Sequence, residues 1–151
     1  MYYLADFLSK QRVKPTNLVF TGESGPWEVI MDLQEIRSKV NIDYFRKSPP
    51  FVSKYLPFLP VRDYSSFVSL GEGATPLIPS TIIGPELGIQ LYFKLESQNP
   101  TGSFKDRGSA VELSIAKELD VKSIVVASTG NMAASCSQST ALRTTSTFCW
   151  D

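Results

Sequence analysis

One lysine at the start of a predicted helix is the side chain best placed to do chemistry. It lies in the run Asn99-Pro100-Thr101-Gly102-Ser103-Phe104-Lys105-Asp106-Arg107-Gly108. Ser103 is followed three residues later by Asp106, which is typical of a capping box and predicts that a helix begins here. The helix dipole would then disfavour the Lys105 ammonium by roughly 0.3–1 kcal/mol. Two interpretations stay open: a neutral nucleophile toward a carbonyl carbon, or a solvated lysine paired with Asp106 or a backbone group.

Two further segments have residue types suited to ligand binding. Ser128-Thr129-Gly130-Asn131 follows an apolar run and precedes an Ala-rich segment, so its free N–H groups could face an anion. Asn131 either caps the following helix or reaches a ligand oxygen. The third segment is Leu70-Gly71-Glu72-Gly73-Ala74-Thr75-Pro76-Leu77, whose glycines allow a ligand to approach the backbone or simply form a loop.

The elements that must position these segments alternate between strand and helix. Residues 90–96 are β-rich, and residues 123–127 form a continuous apolar run typical of a strand covered on both faces. Apolar residues at helical spacing lie between them, namely Ala110, Val111, Leu113, Ile115 and Leu119. A second helix is predicted from Asn131. This order indicates a parallel α/β unit.

Composition excludes several classes of function. The 151 residues include 15 basic and 15 acidic side chains, so no net charge attracts nucleic acid or anionic lipid. The absence of histidine excludes Ser-His-Asp and Cys-His catalysis and histidine metal ligands. Cys136 and Cys149 lack the spacing of a zinc ribbon, and no metal is predicted. No apolar stretch is long enough to span a membrane, and no secretory signal is evident, so we expect a cytoplasmic protein.

The three segments together resemble the pyridoxal-phosphate enzymes of the tryptophan-synthase-β fold type, and among these the threonine synthase family most closely. The run around Lys105 is highly specific, and the order and spacing of the three segments add to it. The resemblance covers roughly residues 55–136. It implies an α/β fold, the truncated N-terminal portion of a fold-type II enzyme with parallel strands.

The resemblance also implies a role for particular residues. Lys105 would bind pyridoxal 5'-phosphate covalently and shuttle protons, Phe104 would pack beside the cofactor, and Asn131 would hydrogen-bond its ring oxygen. The substrate carboxylate would be held by Ser128, Thr129 and Met132. Lys94 and Arg107 are weaker candidates for contacts with anions.

The reaction implied is the conversion of O-phosphohomoserine and water to threonine and phosphate, by γ-elimination and then β-addition of water. The partner is therefore a small-molecule amino acid, and full-length relatives are expected to be monomers or homodimers. Two alternatives stay open. One is another enzyme of the fold type, such as a threonine or serine dehydratase or a β-replacing synthase, and the other is a non-catalytic truncated product.

Three zones are predicted along the chain. Residues 1–60 form a packing segment without chemistry, with a strand at Trp27–Met31 and a helix from Asp32 to Val40. Residues 61–136 form a partial cofactor-binding domain. Residues 137–151 are a Ser/Thr-rich tail in which the helical pattern and the family resemblance stop together, so we hypothesise a reading-frame shift near Cys136. The family's glycine-rich phosphate loop and its ligand to the pyridine nitrogen cannot be assigned. We therefore expect the isolated chain to expose apolar surface, bind the cofactor weakly and be inactive.

Overall fold

The computed structural model describes residues 2–14, 24–128, 130–141 and 146–150, the last of these as backbone only. Its N-terminal part is a small antiparallel sheet followed by two short helices. Strand β1 (Tyr2–Asp6) lies between β2 (Arg12–Val13) and β3 (Trp27–Met31), and Tyr2 pairs with Met31. Helices α1 (Leu33–Lys39) and α2 (Ile42–Lys47) come next.

The predicted strand at Trp27–Met31 and the helix that follows it are confirmed. Asp32 precedes the first helical residue, and its Oδ1 accepts a hydrogen bond of 2.9 Å from the backbone N–H of Glu35. This satisfies one of the free N–H groups at the start of α1, and Glu35 itself adds a negative charge to the first turn. Local sequence alone is sufficient to set these boundaries.

The β-rich run at residues 90–96 forms a shorter strand than expected. Strand β5 (Tyr92–Lys94) pairs antiparallel with β4 (Leu77–Pro79), and helix α3 (Ile83–Glu86) connects them. Within the described residues β5 and the later strand β6 (Ser123–Ala127) belong to different sheets. The expected parallel arrangement of these two strands is therefore not observed.

The C-terminal half alternates between helix and strand. Helix α4 (Lys105–Glu118) leads into β6, helix α5 (Asn131–Ala141) follows, and β7 (Ser146–Trp150) pairs in parallel with β6. The apolar run of β6 is typical of a strand covered on both faces, and we expected this chain to leave part of such surface exposed. Val126 is buried, but Val125 is 67% exposed, because the described elements cover only one face of the strand.

Helix α4 buries a different face from the one that its apolar spacing predicts. Val111 and Ile115 are only partly buried. The buried residues are Asp106, Ser109, Ala110, Leu113 and Ser114. The Ser114 hydroxyl donates to the carbonyl of Ala110 (2.6 Å) and accepts from the backbone N–H of Val68 (2.8 Å), so the polar side chains are satisfied inside the fold.

Helix α5 does not end where the apolar pattern is lost. We expected the helix to dissolve after Cys136, but it continues to Ala141 and packs against α4. Its buried face consists of small residues, Ser135, Cys136, Ser139 and Thr140. The Thr140 hydroxyl donates a 2.8 Å hydrogen bond to the carbonyl of Cys136, which satisfies it within the helix.

Two contacts fix α4 and the glycine-rich segment to the rest of the chain. The Glu118 carboxylate accepts hydrogen bonds of 2.7 Å from the backbone N–H groups of Arg62 and Asp63. The N–H of Val52 donates to the carbonyl of Glu72, at 2.9 Å. Of the helices in the described part of the chain, none has the length and apolar character needed to cross a membrane.

Candidate active site

Lys105 lies in the first turn of α4, as predicted, and is its first residue, but the local contacts differ from a capping box. The Ser103 hydroxyl accepts a hydrogen bond of 3.2 Å from the backbone N–H of Lys105. Both oxygens of Asp106 are used by Thr101, whose N–H and hydroxyl donate to them at 2.8 and 2.6 Å. Gly102 has a φ of +80°, which lets the chain turn sharply just before the helix.

The Lys105 side chain is half-buried and lies against an aromatic ring. Its Nζ is 4.6 Å from the centroid of the Phe104 ring, within the distance of a cation–π contact, and Phe104 itself is 55% exposed. Within the described residues the Lys105 amine has neither a hydrogen bond nor an ion pair. The alternative of a lysine paired with Asp106 is therefore wrong, since Thr101 occupies that carboxylate.

A cleft of about 280 Å³ opens beside this amine. This volume is close to the lower end of the range for small-molecule sites, roughly 300–1,000 Å³. A Cβ placed on Gly108 would meet nothing within 4 Å, so the glycine leaves open space one turn beyond Lys105. The lining residues are Phe104, Lys105, Arg107, Gly108, Glu112 and Met132.

Glu112 is the one carboxylate among these lining residues. Burial raises the pKa of the Glu112 carboxyl, and the positive charge of Lys105 opposes the rise. Glu112 is two turns beyond Lys105 on the same helix, so the two side chains extend from one face of α4. The cleft therefore places a carboxyl that is easier to protonate than usual near a primary amine.

The second predicted segment contributes one residue to the cleft. Helix α5 begins at Asn131, so Asn131 is the first helical residue and does not occupy the capping position before the helix. Met132 lines the cleft with Lys105 and Phe104, whereas Ser128 and Asn131 do not. The Ser128 hydroxyl instead accepts a 3.3 Å hydrogen bond from the N–H of Gly130. Thr129 lies outside the described residues.

Met132 is held at the cleft by contacts between α4 and α5. The Ser109 hydroxyl is 3.8 Å from the sulfur of Met132 and 3.5 Å from the sulfur of Cys136. Ser109 is fully buried. A small hydroxyl side chain at this point lets the two helices approach closely, which brings the start of α5 next to the start of α4.

Lys94 and Arg107, the weaker candidates for anion contacts, are both engaged within the protein. The Lys94 amine donates to the carbonyl of Thr75. The Arg107 guanidinium donates to both oxygens of Glu96, each at 2.7 Å, and to the Thr75 hydroxyl at 3.1 Å. Neither cation is therefore available in the way that an anion site requires.

Sequence reasoning missed the polar network that joins two of the three segments, the glycine-rich one and the run around Lys105. Asn99 is buried, and its Oδ1 accepts a 2.9 Å hydrogen bond from the N–H of Gly73. Its Nδ2 donates to Glu96, at 2.8 Å to the backbone carbonyl and at 3.1 Å to Oε2. The short spacing between Glu96 and Asn99 is visible in the sequence. It gives no sign that the glycine-rich segment, which is 26 residues from Asn99 at Gly73, supplies a partner.

Glu72, in the glycine-rich segment, is a buried carboxylate that sequence reasoning did not single out. It is 1% exposed and accepts hydrogen bonds from the Ser69 hydroxyl and from the N–H of Leu70, the latter at 2.8 Å. These contacts stay within one loop. Glu72 therefore shapes the segment, and its carboxylate does not reach the cleft.

Comparison with known proteins decides the family. A family model described as "Pyridoxal-phosphate dependent enzyme" matches residues 68–145, just over half of the chain. The chain belongs to the pyridoxal-phosphate dependent enzyme family. The matched residues include the whole of the cleft and continue past Cys136, further than the resemblance described above. Pyridoxal phosphate is the cofactor of this family.

Three of the relatives that the chain matches are threonine synthases. The chain is 48% identical over 120 residues to a threonine synthase of Methanocaldococcus jannaschii, which covers 78% of this chain and 30% of the relative. It is 51% identical over 84 residues to a threonine synthase of Bacillus sp. strain ULM1, covering 56% and 24%. A threonine synthase of Methanosarcina acetivorans is 40% identical over 111 residues, covering 73% and 26%. The chain thus spans 30% or less of the length of these curated relatives.

The cleft fits the cofactor of the pyridoxal-phosphate family in three respects. It contains a primary amine that has no hydrogen bond or ion pair to any described residue, as attachment to an aldehyde requires. Gly108 has no side chain and leaves the space beside the helix open, as a flat ring lying there requires. Phe104 and Met132 supply an apolar surface for that ring. Lys105 is therefore the residue suited to hold the cofactor.

Proposed function

We propose that the cleft between α4 and α5 is the cofactor site of a threonine synthase-like enzyme, in which Lys105 bonds to the aldehyde carbon of pyridoxal phosphate. The observation that carries the proposal is the position of the Lys105 amine: half-buried, beside a cleft, and without a hydrogen bond to any described residue. A lysine used only for solubility would extend into water or pair with an acidic neighbour.

Each of the other candidate residues has a proposed task. The Phe104 ring covers one side of the bound ring, and the Asn131 amide donates to the ring oxygen. The N–H and hydroxyl groups of Ser128 and Thr129, with the N–H of Met132, receive the substrate carboxylate at the amino end of α5, where the helix dipole favours an anion. Asn131 and Ser128 do not line the cleft in the described structure, so their roles need the most direct testing.

The proposed reaction converts O-phosphohomoserine and water to threonine and phosphate. When bound, pyridoxal phosphate withdraws electron density from the carbon next to the substrate amino group. Lys105, once displaced by the substrate amine, takes a proton from that carbon and returns it at a neighbouring one. Phe104 and Met132 supply the apolar side of the cleft in which this proton moves.

The experiment that tests the site is reductive trapping. The 151-residue chain is incubated with pyridoxal phosphate, reduced with borohydride and digested, and the labelled peptide is identified by mass spectrometry. Reduction captures even a weakly held cofactor. We expect the label on Lys105 and its loss in Lys105→Ala, with Lys122→Ala as the matched control because the Lys122 side chain is 80% exposed. Labelling spread evenly over all lysines would overturn the proposal.

The reaction itself is tested by product analysis. With O-phosphohomoserine, a threonine synthase-like site releases phosphate and forms threonine. A dehydratase acting on serine releases ammonia instead. The chain spans 30% or less of the length of its relatives, so the two experiments are interpreted separately. Labelling at Lys105 tests the cofactor site, and turnover tests the identity of the substrate.

A further inference from the structure

Glu96 accepts more hydrogen bonds from side chains than any other described carboxylate near the cleft. Arg107 donates to it twice, from Nε to Oε2 and from Nη2 to Oε1, each at 2.7 Å. The Thr75 hydroxyl donates to Oε1 at 2.7 Å, and the Asn99 amide donates to Oε2 at 3.1 Å. A two-pronged contact between a guanidinium and a carboxylate fixes the angle as well as the distance between them.

These donors come from three separate parts of the chain. Thr75 lies in the glycine-rich segment, Asn99 lies in the loop before α4, and Arg107 lies in the first turn of α4. Asn99 also accepts from the N–H of Gly73, which ties the same loop to the glycine-rich segment a second time. Glu96 is therefore the point at which the glycine-rich segment, the loop and the helix start are joined.

Lys105 stands between two side chains that are both anchored. On one side Arg107 is bound to Glu96, and on the other Asp106 is bound to Thr101. The Lys105 amine has no hydrogen-bond partner of its own among the described residues. Its position in the cleft is consequently set by the backbone of the first turn, and that backbone is set by the two anchors.

We propose that Glu96 is a positioning residue: by holding Arg107, it keeps the first turn of α4 oriented so that the Lys105 amine stays in the cleft beside Met132. This inference rests on the proposed function, since it assumes that Lys105 is the residue that bonds the cofactor. Glu96 itself does not line the cleft, so it acts through Arg107.

The role is supported by the persistence of the Glu96 charge. Hydrogen bonds from Arg107, more than any other cause, lower the pKa of the Glu96 carboxyl. Together with those from Thr75 and Asn99, and against the effect of burial, they bring it to about 2. Glu96 also raises the pKa of Arg107. Both partners therefore remain charged at every pH at which a cofactor aldehyde would be captured.

The test compares the rate of reductive trapping at Lys105 in wild type and in Glu96→Gln, with pyridoxal phosphate and borohydride as the probe. Labelling of Lys122 in the same molecule is the internal reference, because its side chain is 80% exposed. Glu35→Gln is the matched control, since Glu35 also forms an ion pair with a basic side chain, Lys39, but in helix α1. All variants are first compared by far-ultraviolet circular dichroism.

We expect the maximal trapping rate at Lys105, relative to Lys122, to fall about ten-fold in Glu96→Gln. A displacement of about 1 Å at a reacting group can cost on the order of 100-fold, and we expect a smaller displacement here. The cofactor concentration that gives half of this rate should stay the same, because Glu96 does not touch the cofactor. Glu35→Gln should match wild type.

Each other result has a definite meaning. If Lys105 is labelled selectively in wild type and equally fast in Glu96→Gln, the positioning role is overturned while the proposed function stands. If Glu96→Gln changes only the pyridoxal phosphate concentration that gives half of the maximal trapping rate, the positioning role is also overturned, because Glu96 would then contribute to cofactor binding. If wild type shows no selectivity for Lys105, the proposed function fails and this inference fails with it. Should Glu96→Gln not fold, Thr75→Val removes one donor to the same carboxylate and is judged by the same criteria.

Discussion

The backbone N–H of Gly73 donates a 2.9 Å hydrogen bond to the side-chain oxygen of Asn99. This contact joins two segments that are 26 residues apart in sequence, the glycine-rich loop and the loop before α4. Because Asn99 is 4% exposed, the hydrogen bond is protected from water. Removing either partner would leave the other without a hydrogen bond in a place that water does not reach. The loop that precedes Lys105 is therefore supported by a loop that does not line the cleft.

Gly73→Ala should destabilise the chain by at least about 2 kcal/mol, the upper part of the range for backbone strain combined with a steric clash. Gly73 has a φ of +99°, and a Cβ there would lie 2.9 Å from the backbone nitrogen of Val52. Urea unfolding followed by circular dichroism measures the change. Gly71→Ala is the control. Gly71 has a φ of +86°, but a Cβ there would meet nothing within 4 Å, so this variant should lose only about 1 kcal/mol of stability. Equal losses in the two variants would contradict the steric argument.

Gly108→Ala should stabilise the chain while reducing labelling at Lys105. An alanine inside a helix is favoured over glycine by roughly 0.8–1 kcal/mol, and here its Cβ meets nothing within 4 Å. The same methyl group projects into the cleft that we propose for the cofactor. Urea unfolding and reductive trapping measure the two effects. Ser38→Ala in α1 is the control, and it should leave labelling unchanged. Unchanged labelling in Gly108→Ala would place the cofactor elsewhere.

The contribution of Glu96 to stability should depend on pH in the acidic range. Hydrogen bonds from Arg107 lower the pKa of the carboxyl from 4.5 to about 2 on folding. Because the folded value is the lower one, the stabilisation is fully present above about pH 4.5 and is lost as the pH falls toward 2. Protonation of Glu96 then removes the charge that Arg107 binds.

Glu96→Gln should therefore be less stable than wild type near pH 7, and the difference should narrow as the pH falls from about 4.5 to about 2. At pH 7 we expect the free energy of unfolding of Glu96→Gln to be lower than that of wild type by roughly 1–2 kcal/mol. This figure is discounted because charged hydrogen bonds weaken where solvent reaches them. The Arg107 and Glu96 side chains are 33% and 30% exposed. Urea unfolding at several pH values measures the difference, and Glu86→Gln, in the short helix α3, serves as the control. If the difference in stability between wild type and Glu96→Gln stays constant with pH, the ion pair is not the source of that difference.

Some of these features were predictable because their causes are local. The Trp27–Met31 strand follows a turn of glycine and proline, and Asp32 supplies the cap that begins α1. In the same way Gly102 and Ser103 place the start of α4 at Lys105. In each case the residues that determine the boundary lie within three or four positions of it, so the sequence contains all of the necessary information.

Other features were predicted wrongly because their causes lie far along the chain. The apolar spacing of Val111 and Ile115 indicated one face of α4, but the helix buries Ser109 and Ser114 instead. This happens because α5 and Val68 provide hydrogen-bond partners or close contacts for small hydroxyl side chains. The hydroxyl-rich residues after Cys136 similarly looked unable to form a helix, and α5 includes them because its buried face packs against α4.

The sequence by itself determined which residue types are available and approximately where the helices that carry them begin. It placed a lysine in the first turn of one helix and an asparagine at the start of another. Only the tertiary structure decided that Lys105 shares a cleft with Met132 and that Glu96 binds Arg107. Boundaries follow from hydrogen bonds between near neighbours in the chain. Burial and charge pairing depend on which distant segments meet, and that is fixed only when the whole chain packs.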